Sequence, residues 1–141
     1  MIGLLIVAHG GLATELKATL EHVVGRQAQC ATLSFQPTDC AQSRQDDIMA
    51  AIASVDTGQG VVVATDLYGG TPCNAAMTVD EIGSSVEVVC GVNMPMLVSL
   101  AQSRRTSHSV SDLAATARDA GRKYITIASE VRNAKVTKLY A

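Results

Sequence analysis

Short apolar runs alternate along the chain with segments in which apolar residues recur at helical spacing. The runs at 2–8, 28–35, 61–65, 86–91 and 124–127 predict five strands. The spaced segments predict helices at 12–24, from about 39 to 55, from Thr71 to about Ile82, from after the segment 92–97 to about Ser103, and near 112–121. Continuously apolar strands are typical of a parallel sheet that helices cover on both faces.

Two helix starts carry local signals. Asp39 stands three residues before Gln42, a spacing that resembles a capping box. Thr71 is expected to cap the following helix, with Pro72 at the first helical position, where the missing N–H of proline is tolerated.

The alternation of strands and helices predicts an α/β fold with a doubly wound, flavodoxin-like, mainly parallel sheet of order 2-1-3-4. We expect one domain over residues 1–130. The tail at 131–141 is polar and has no clear period. It is expected to be disordered or to form a strand that pairs with another subunit.

Charge, cysteine spacing and absent motifs disfavour several classes of function. The net charge is −2, which disfavours a nucleic-acid partner. The four cysteines form no C-x-x-C pair, so we interpret them as reduced thiols in a cytoplasmic protein. No apolar stretch is long enough to insert in a membrane. Metal-ligand spacings, a Walker loop and G-x-G-x-x-G are all absent from the sequence, so no metal and no cofactor is expected.

The candidate chemistry lies where two predicted strands end. His9 follows the first apolar run and Asp66 follows the third. The expected strand order makes these strands neighbours, with the crevice of the sheet above both residues. A carboxylate bonded to Nδ1–H would fix the tautomer of His9 and leave Nε2 as a nucleophile for a phosphoryl group.

Backbone N–H groups at two helix starts are expected to receive the phosphoryl oxygens. The candidate phosphate-binding residues are Gly10, Gly11, Gly69, Gly70 and Thr71. Simpler interpretations stay open: a histidine after a strand often only packs or caps, and Asp66 could cap a turn. A binder of flavin or of a small phosphorylated ligand is a further alternative, although Tyr68 is the single aromatic residue available for stacking.

Three segments together, 6–10, 65–74 and 91–97, resemble the mannose-family IIA component of the bacterial phosphoenolpyruvate-dependent sugar phosphotransferase system (PTS). The resemblance implies that His9 accepts phosphate from the histidine phosphocarrier protein HPr and passes it to a IIB component. It also implies that Asp66 orients His9 and that Thr71 lies close to the phosphate. This chain departs from the family at Cys73, where an aromatic residue is usual, and at Leu67, where some relatives carry a hydroxyl.

The resemblance further implies an antiparallel edge strand that is exchanged between the subunits of a homodimer. Residues 124–127, or part of the tail, would suit that strand. Two other roles stay open: a regulatory module that binds partners according to its phosphorylation state, and the phosphoryl-donor subunit of a dihydroxyacetone kinase.

Overall fold

The computed structural model describes the backbone of residues 1–80 and 85–140. The strands are β1 (Gly3–His9), β2 (Cys30–Phe35), β3 (Val61–Thr65) and β4 (Val86–Cys90). The helices are α1 (Leu12–Val24), α2 (Gln45–Val55), α3 (Thr71–Asp80), α4 (Met94–Ser103), α5 (Val110–Lys123) and α6 (Ala128–Tyr140). A 3₁₀ turn, Gln42–Arg44, precedes α2.

The four strands form one parallel sheet in the order β2-β1-β3-β4, which confirms the predicted order. Val7 of β1 pairs with Thr65, the last residue of β3, so His9 extends two residues beyond that pair. On the other side His9 pairs with Phe35 of β2. The carboxyl ends of the two central strands therefore lie side by side, at the topological switch point.

The side chains of alternating β1 residues pack in two apolar layers, one on each face of the sheet. Leu4 and Ile6 pack in the layer that contains α1, α4 and α5, whereas Leu5 and Val7 face α2 and α3. All four side chains are buried. Burial of such a side chain stabilises the fold by about 1.5–3 kcal/mol. The buried sheet therefore holds the residues at the carboxyl ends of its strands in fixed positions.

The predicted start of the second helix is wrong. Asp39 does not cap it, because its carboxylate accepts a hydrogen bond from the Gln36 amide at 2.7 Å and pairs with Arg44 at 2.5 Å. These bonds close a local turn, and α2 begins only at Gln45. Local turn closure outcompetes helix capping for this carboxylate.

The start of α3 is shifted by one residue. Thr71, expected as its cap, is the first helical residue, and Pro72 is the second. The predicted end of this helix at Ile82 lies outside the described residues.

The predicted last strand is also wrong. α5 runs to Lys123, and the Tyr124 amide still donates to the Ala120 carbonyl at 3.4 Å, so residues 124–127 form a link between helices. The side chains of Ile125 and Ile127 are exposed. The structure therefore gives no support to the antiparallel edge strand or to its exchange between subunits. Most of the predicted tail belongs instead to α6, which ends at Tyr140.

Candidate functional site

His9 closes β1 and turns its side chain toward solvent. The chain reverses at Gly10, whose φ of 57° lies in the left-handed region that favours glycine. Gly11 then takes the N-cap position of α1. The His9 side chain is 49% exposed, so the ring is accessible although its backbone belongs to the sheet.

Asp66 holds His9 at two points. Its Oδ2 accepts a hydrogen bond from the His9 main-chain amide at 3.0 Å and lies 2.9 Å from Nδ1 of the ring. An ionised carboxylate only accepts hydrogen bonds, so Nδ1 must carry the proton of this contact. In the neutral ring, Nε2 then keeps a free lone pair. The pair is arranged as a nucleophilic imidazole requires.

Asp66 is ionised at neutral pH. Partial burial by itself raises the pKa of the carboxyl, but the hydrogen bonds from the amide and ring of His9 outweigh burial, and the net pKa lies below the ordinary value of 3.8. A negative charge therefore faces the ring and stabilises any positive charge that develops on it.

Gly70 packs directly against the imidazole. A Cβ atom at this position would lie 2.9 Å from Cε1 of His9 and 3.5 Å from Nε2, so any larger residue would displace the ring or the loop. The loop between β3 and α3 is held closed around this contact. The Gly70 amide donates to the Leu67 carbonyl at 3.1 Å, and Asn74 Nδ2 donates to the Gly69 carbonyl at 3.2 Å.

The expected phosphate-binding amides do not all remain available. The amide of Gly10 donates to the Phe35 carbonyl at 2.8 Å, and that of Gly70 is used within its own loop. Two of the five candidate residues are therefore engaged by local structure. Thr71 starts α3 and Gly11 caps α1, positions at which backbone N–H groups lack partners within the helix.

Asn74 was missed by the sequence analysis. Its side chain ties α3 to Gly69, whose φ of 79° marks the tight turn of the loop. The signal was present, since Asn74 closes the 65–74 segment that carried the resemblance. Beside it, Leu67 and Tyr68 expose 60% and 77% of their surface, which gives the rim of the site an apolar character.

A model of the family described as "PTS system fructose IIA component" matches residues 3–118. The chain belongs to this family. Relatives with names of the mannose, sorbose and fructose type place it in that branch of PTS IIA components.

Specific relatives agree with this assignment. The chain is 34% identical over 122 residues to the mannose-specific EIIAB component of Escherichia coli K12, covering 86% of this chain. The chain spans 38% of the length of that relative.

The solved structures similar to this chain include two PTS proteins. The PTS component EIIA from Streptococcus agalactiae has a TM-score of 0.84 at 25% identity, over 92% of this chain and 99% of that one. The mannose/sorbose-specific IIA subunit from Enterococcus faecalis has a TM-score of 0.80 at 30% identity, over 89% and 93%. Among the helices of the described ranges, none is both long enough and apolar enough to cross a membrane.

Proposed function

We propose that this PTS IIA chain is a phosphocarrier in which His9 accepts a phosphoryl group from HPr and passes it to a IIB component. The observation that carries the proposal is the 2.9 Å contact between His9 Nδ1 and Asp66 Oδ2 on a half-exposed ring. The contact leaves the lone pair of Nε2 free in the neutral ring, and the side chain that carries it is half-exposed. The transfer takes place in the cytoplasm, where both protein partners would meet the chain.

Phosphoryl transfer forms one P–N bond as another breaks. Nε2 of His9 attacks the phosphorus of phospho-HPr, and the nitrogen of the HPr histidine leaves. The His9 ring, protonated on Nδ1 and phosphorylated on Nε2, gains positive charge, which the adjacent Asp66 carboxylate stabilises. Attack by the IIB acceptor on the same phosphorus returns His9 to its neutral form.

The travelling phosphoryl oxygens need donors near Nε2. We propose that the amides of Gly11, Gly69 and Thr71 supply them, with the Thr71 hydroxyl as a further donor. Helix N-termini favour anions through their unpaired N–H groups and the helix dipole. The glycines Gly10 and Gly70 would contribute backbone shape instead, since their amides already have acceptors.

Sugar uptake is the proposed destination of the phosphoryl group. The relatives named as mannose-specific EIIAB and sorbose-specific EIIA components support it.

We also propose that the protein works as a homodimer, without exchange of a strand. Exposed apolar side chains at Tyr124, Ile125 and Ile127 offer surface for a second copy, and light scattering would report the oligomeric state.

The experiment supplies phosphoenolpyruvate, enzyme I and HPr to the purified chain. Wild type should acquire one acid-labile, base-stable phosphate, and His9→Ala should acquire none. His22→Ala and His108→Ala, which remove histidines outside the site at the carboxyl ends of the strands, should be phosphorylated like wild type. Phosphate that persists on His9→Ala would refute the proposal.

A further inference from the structure

Two cysteine thiols touch each other next to the site. The Sγ atoms of Cys73 and Cys90 are 3.2 Å apart, and both residues are free cysteines. Cys73 is the third residue of α3, and Cys90 is the last residue of β4. The contact therefore joins two elements that are separate in sequence and adjacent in the fold.

The environment of this pair is asymmetric. Cys73 is fully buried, whereas Cys90 is partly exposed. The side chain of Cys90 lies on the face of β4 that packs against α3, as its contact with Cys73 shows. Its partial exposure makes Cys90 the thiol that a small-molecule disulfide would meet first.

We propose that Cys73 and Cys90 form a reversible disulfide when the protein meets a small-molecule disulfide such as oxidised glutathione. A disulfide bond is about 2.0 Å long. The two sulfurs therefore need to approach by only about 1.2 Å from their present separation of 3.2 Å. Rotation of the two side chains and a small movement of the start of α3 would supply this approach.

The chemistry proceeds by two exchange steps. The Cys90 thiolate attacks one sulfur of oxidised glutathione, forms a mixed disulfide and releases the first glutathione thiolate. The Cys73 thiolate then attacks Sγ of Cys90 and releases the second glutathione. The two cysteine protons end on the two glutathione thiols, so one disulfide is reduced and one is formed.

The first step should be slow. Burial raises the pKa of the Cys90 thiol, which keeps the thiolate fraction small at neutral pH. The second step is favoured by proximity, because Cys73 already contacts the sulfur it would attack. The mixed disulfide on Cys90 should therefore be short-lived relative to its formation.

The bond would act on the candidate site through the loop between β3 and α3. Cys90 pairs with Thr65, the residue before Asp66, and Cys73 lies three residues after Gly70. Drawing α3 toward β4 would shift Gly70, which packs on the His9 ring. This consequence rests on the proposed function, and we expect oxidation to slow phosphorylation of His9 by about tenfold or more, since displacements near 1 Å are costly in such sites.

The bond itself is tested without any phosphorylation assay. The full chain is incubated with oxidised glutathione, free thiols are then alkylated, and the unfolded protein is cut by a protease that cleaves after Glu81 and Glu87. Wild type should give fragments containing Cys73 and Cys90 that remain linked until a reductant is added. Cys73→Ala and Cys90→Ala should each lose the linked pair, whereas Cys40→Ala should keep it.

Two results would overturn the proposal. One is alkylation of both Cys73 and Cys90 after oxidation has consumed only the exposed Cys40. The other is a glutathione adduct on Cys90 that never resolves to the linked pair. If the bond forms but oxidised and reduced protein are phosphorylated at equal rates, its effect on the site is refuted while the modification stands. If His9 takes no phosphate in the reduced protein, the failure belongs to the proposed function.

Discussion

Replacing Gly70 with alanine tests whether the loop between β3 and α3 sets the orientation of the His9 ring. The new Cβ would lie 2.9 Å from Cε1 of His9, whereas carbon atoms in contact normally lie about 3.5–4.0 Å apart. The ring or the loop must therefore move by at least about 0.6 Å. If the ring moves, it strains or breaks the hydrogen bond between Nδ1 and Asp66.

The expected decrease in rate follows from the strength of the hydrogen bond between His9 Nδ1 and Asp66. A hydrogen bond to a charged group contributes about 1.5–3 kcal/mol. At about 1.4 kcal/mol for each factor of ten, its loss would slow phosphorylation of Gly70→Ala roughly 10- to 100-fold. The methyl group would also stand 3.5 Å from Nε2 and crowd the arriving phosphoryl group, which adds to the effect.

The assay measures the initial rate of phosphorylation by phospho-HPr, with circular dichroism to establish that each variant is folded. Gly121→Ala in α5 is the matched control, because its Cβ would also be crowded, at 3.3 Å from Asn93 Oδ1, but it lies outside the residues proposed to hold the phosphoryl group. We expect the control to remain within a few-fold of wild type. A folded Gly70→Ala variant that is phosphorylated at the wild-type rate would refute the proposed packing of the loop on the ring.

Three further predictions follow from the structure. Asp66→Asn should slow phosphorylation of His9 by at least about tenfold in the same assay, because the amide favours the wrong ring tautomer, and an unchanged rate would make Asp66 structural. Because the pKa of Asp66 is lower in the folded protein than its ordinary value of 3.8, ionised Asp66 stabilises the fold above that pH, and this stabilisation is lost as the pH falls through the lower folded pKa. In urea unfolding, the stability advantage of wild type over Asp66→Asn should therefore shrink below about pH 4. Arg104→Met should lower the free energy of unfolding by about 2–4 kcal/mol, since the buried guanidinium donates to the Gln29 carbonyl at 2.9 Å, whereas the exposed Arg105→Met should change it by less than about 0.5 kcal/mol.

The central part of the fold was predictable from the sequence. The apolar runs at 2–8 and 61–65 have the composition of strands buried on both faces, and alternation with helices leaves few topologies for them. Once the order was given, the proximity of His9 and Asp66 followed from their places at neighbouring strand ends. Their bond of 2.9 Å is the geometric outcome.

Other features depended on competition that a sequence pattern does not resolve. Asp39 had the spacing of a capping box, yet its carboxylate accepts a hydrogen bond from the Gln36 amide and pairs with Arg44 instead. Ile125 and Ile127 have the composition of a strand, but β pairing needs a partner strand. In the structure they lie instead in the exposed link between α5 and α6.

Side-chain packing set a further limit. The contact between Cys73 and Cys90 arises from the placement of α3 over the end of β4, which the spacing of cysteines does not report. The engagement of the Gly10 and Gly70 amides depends in the same way on turns that form only in the folded loops.

The central claim is that the Asp66 carboxylate holds Nδ1 of His9 so that Nε2 takes the phosphoryl group. Nuclear magnetic resonance of the phosphorylated protein, with ¹⁵N-labelled histidine and detection of coupling to phosphorus, tests it most directly. The account predicts phosphorus on Nε2 of His9 and a proton on Nδ1. Phosphorus on Nδ1, or on another residue, would contradict it.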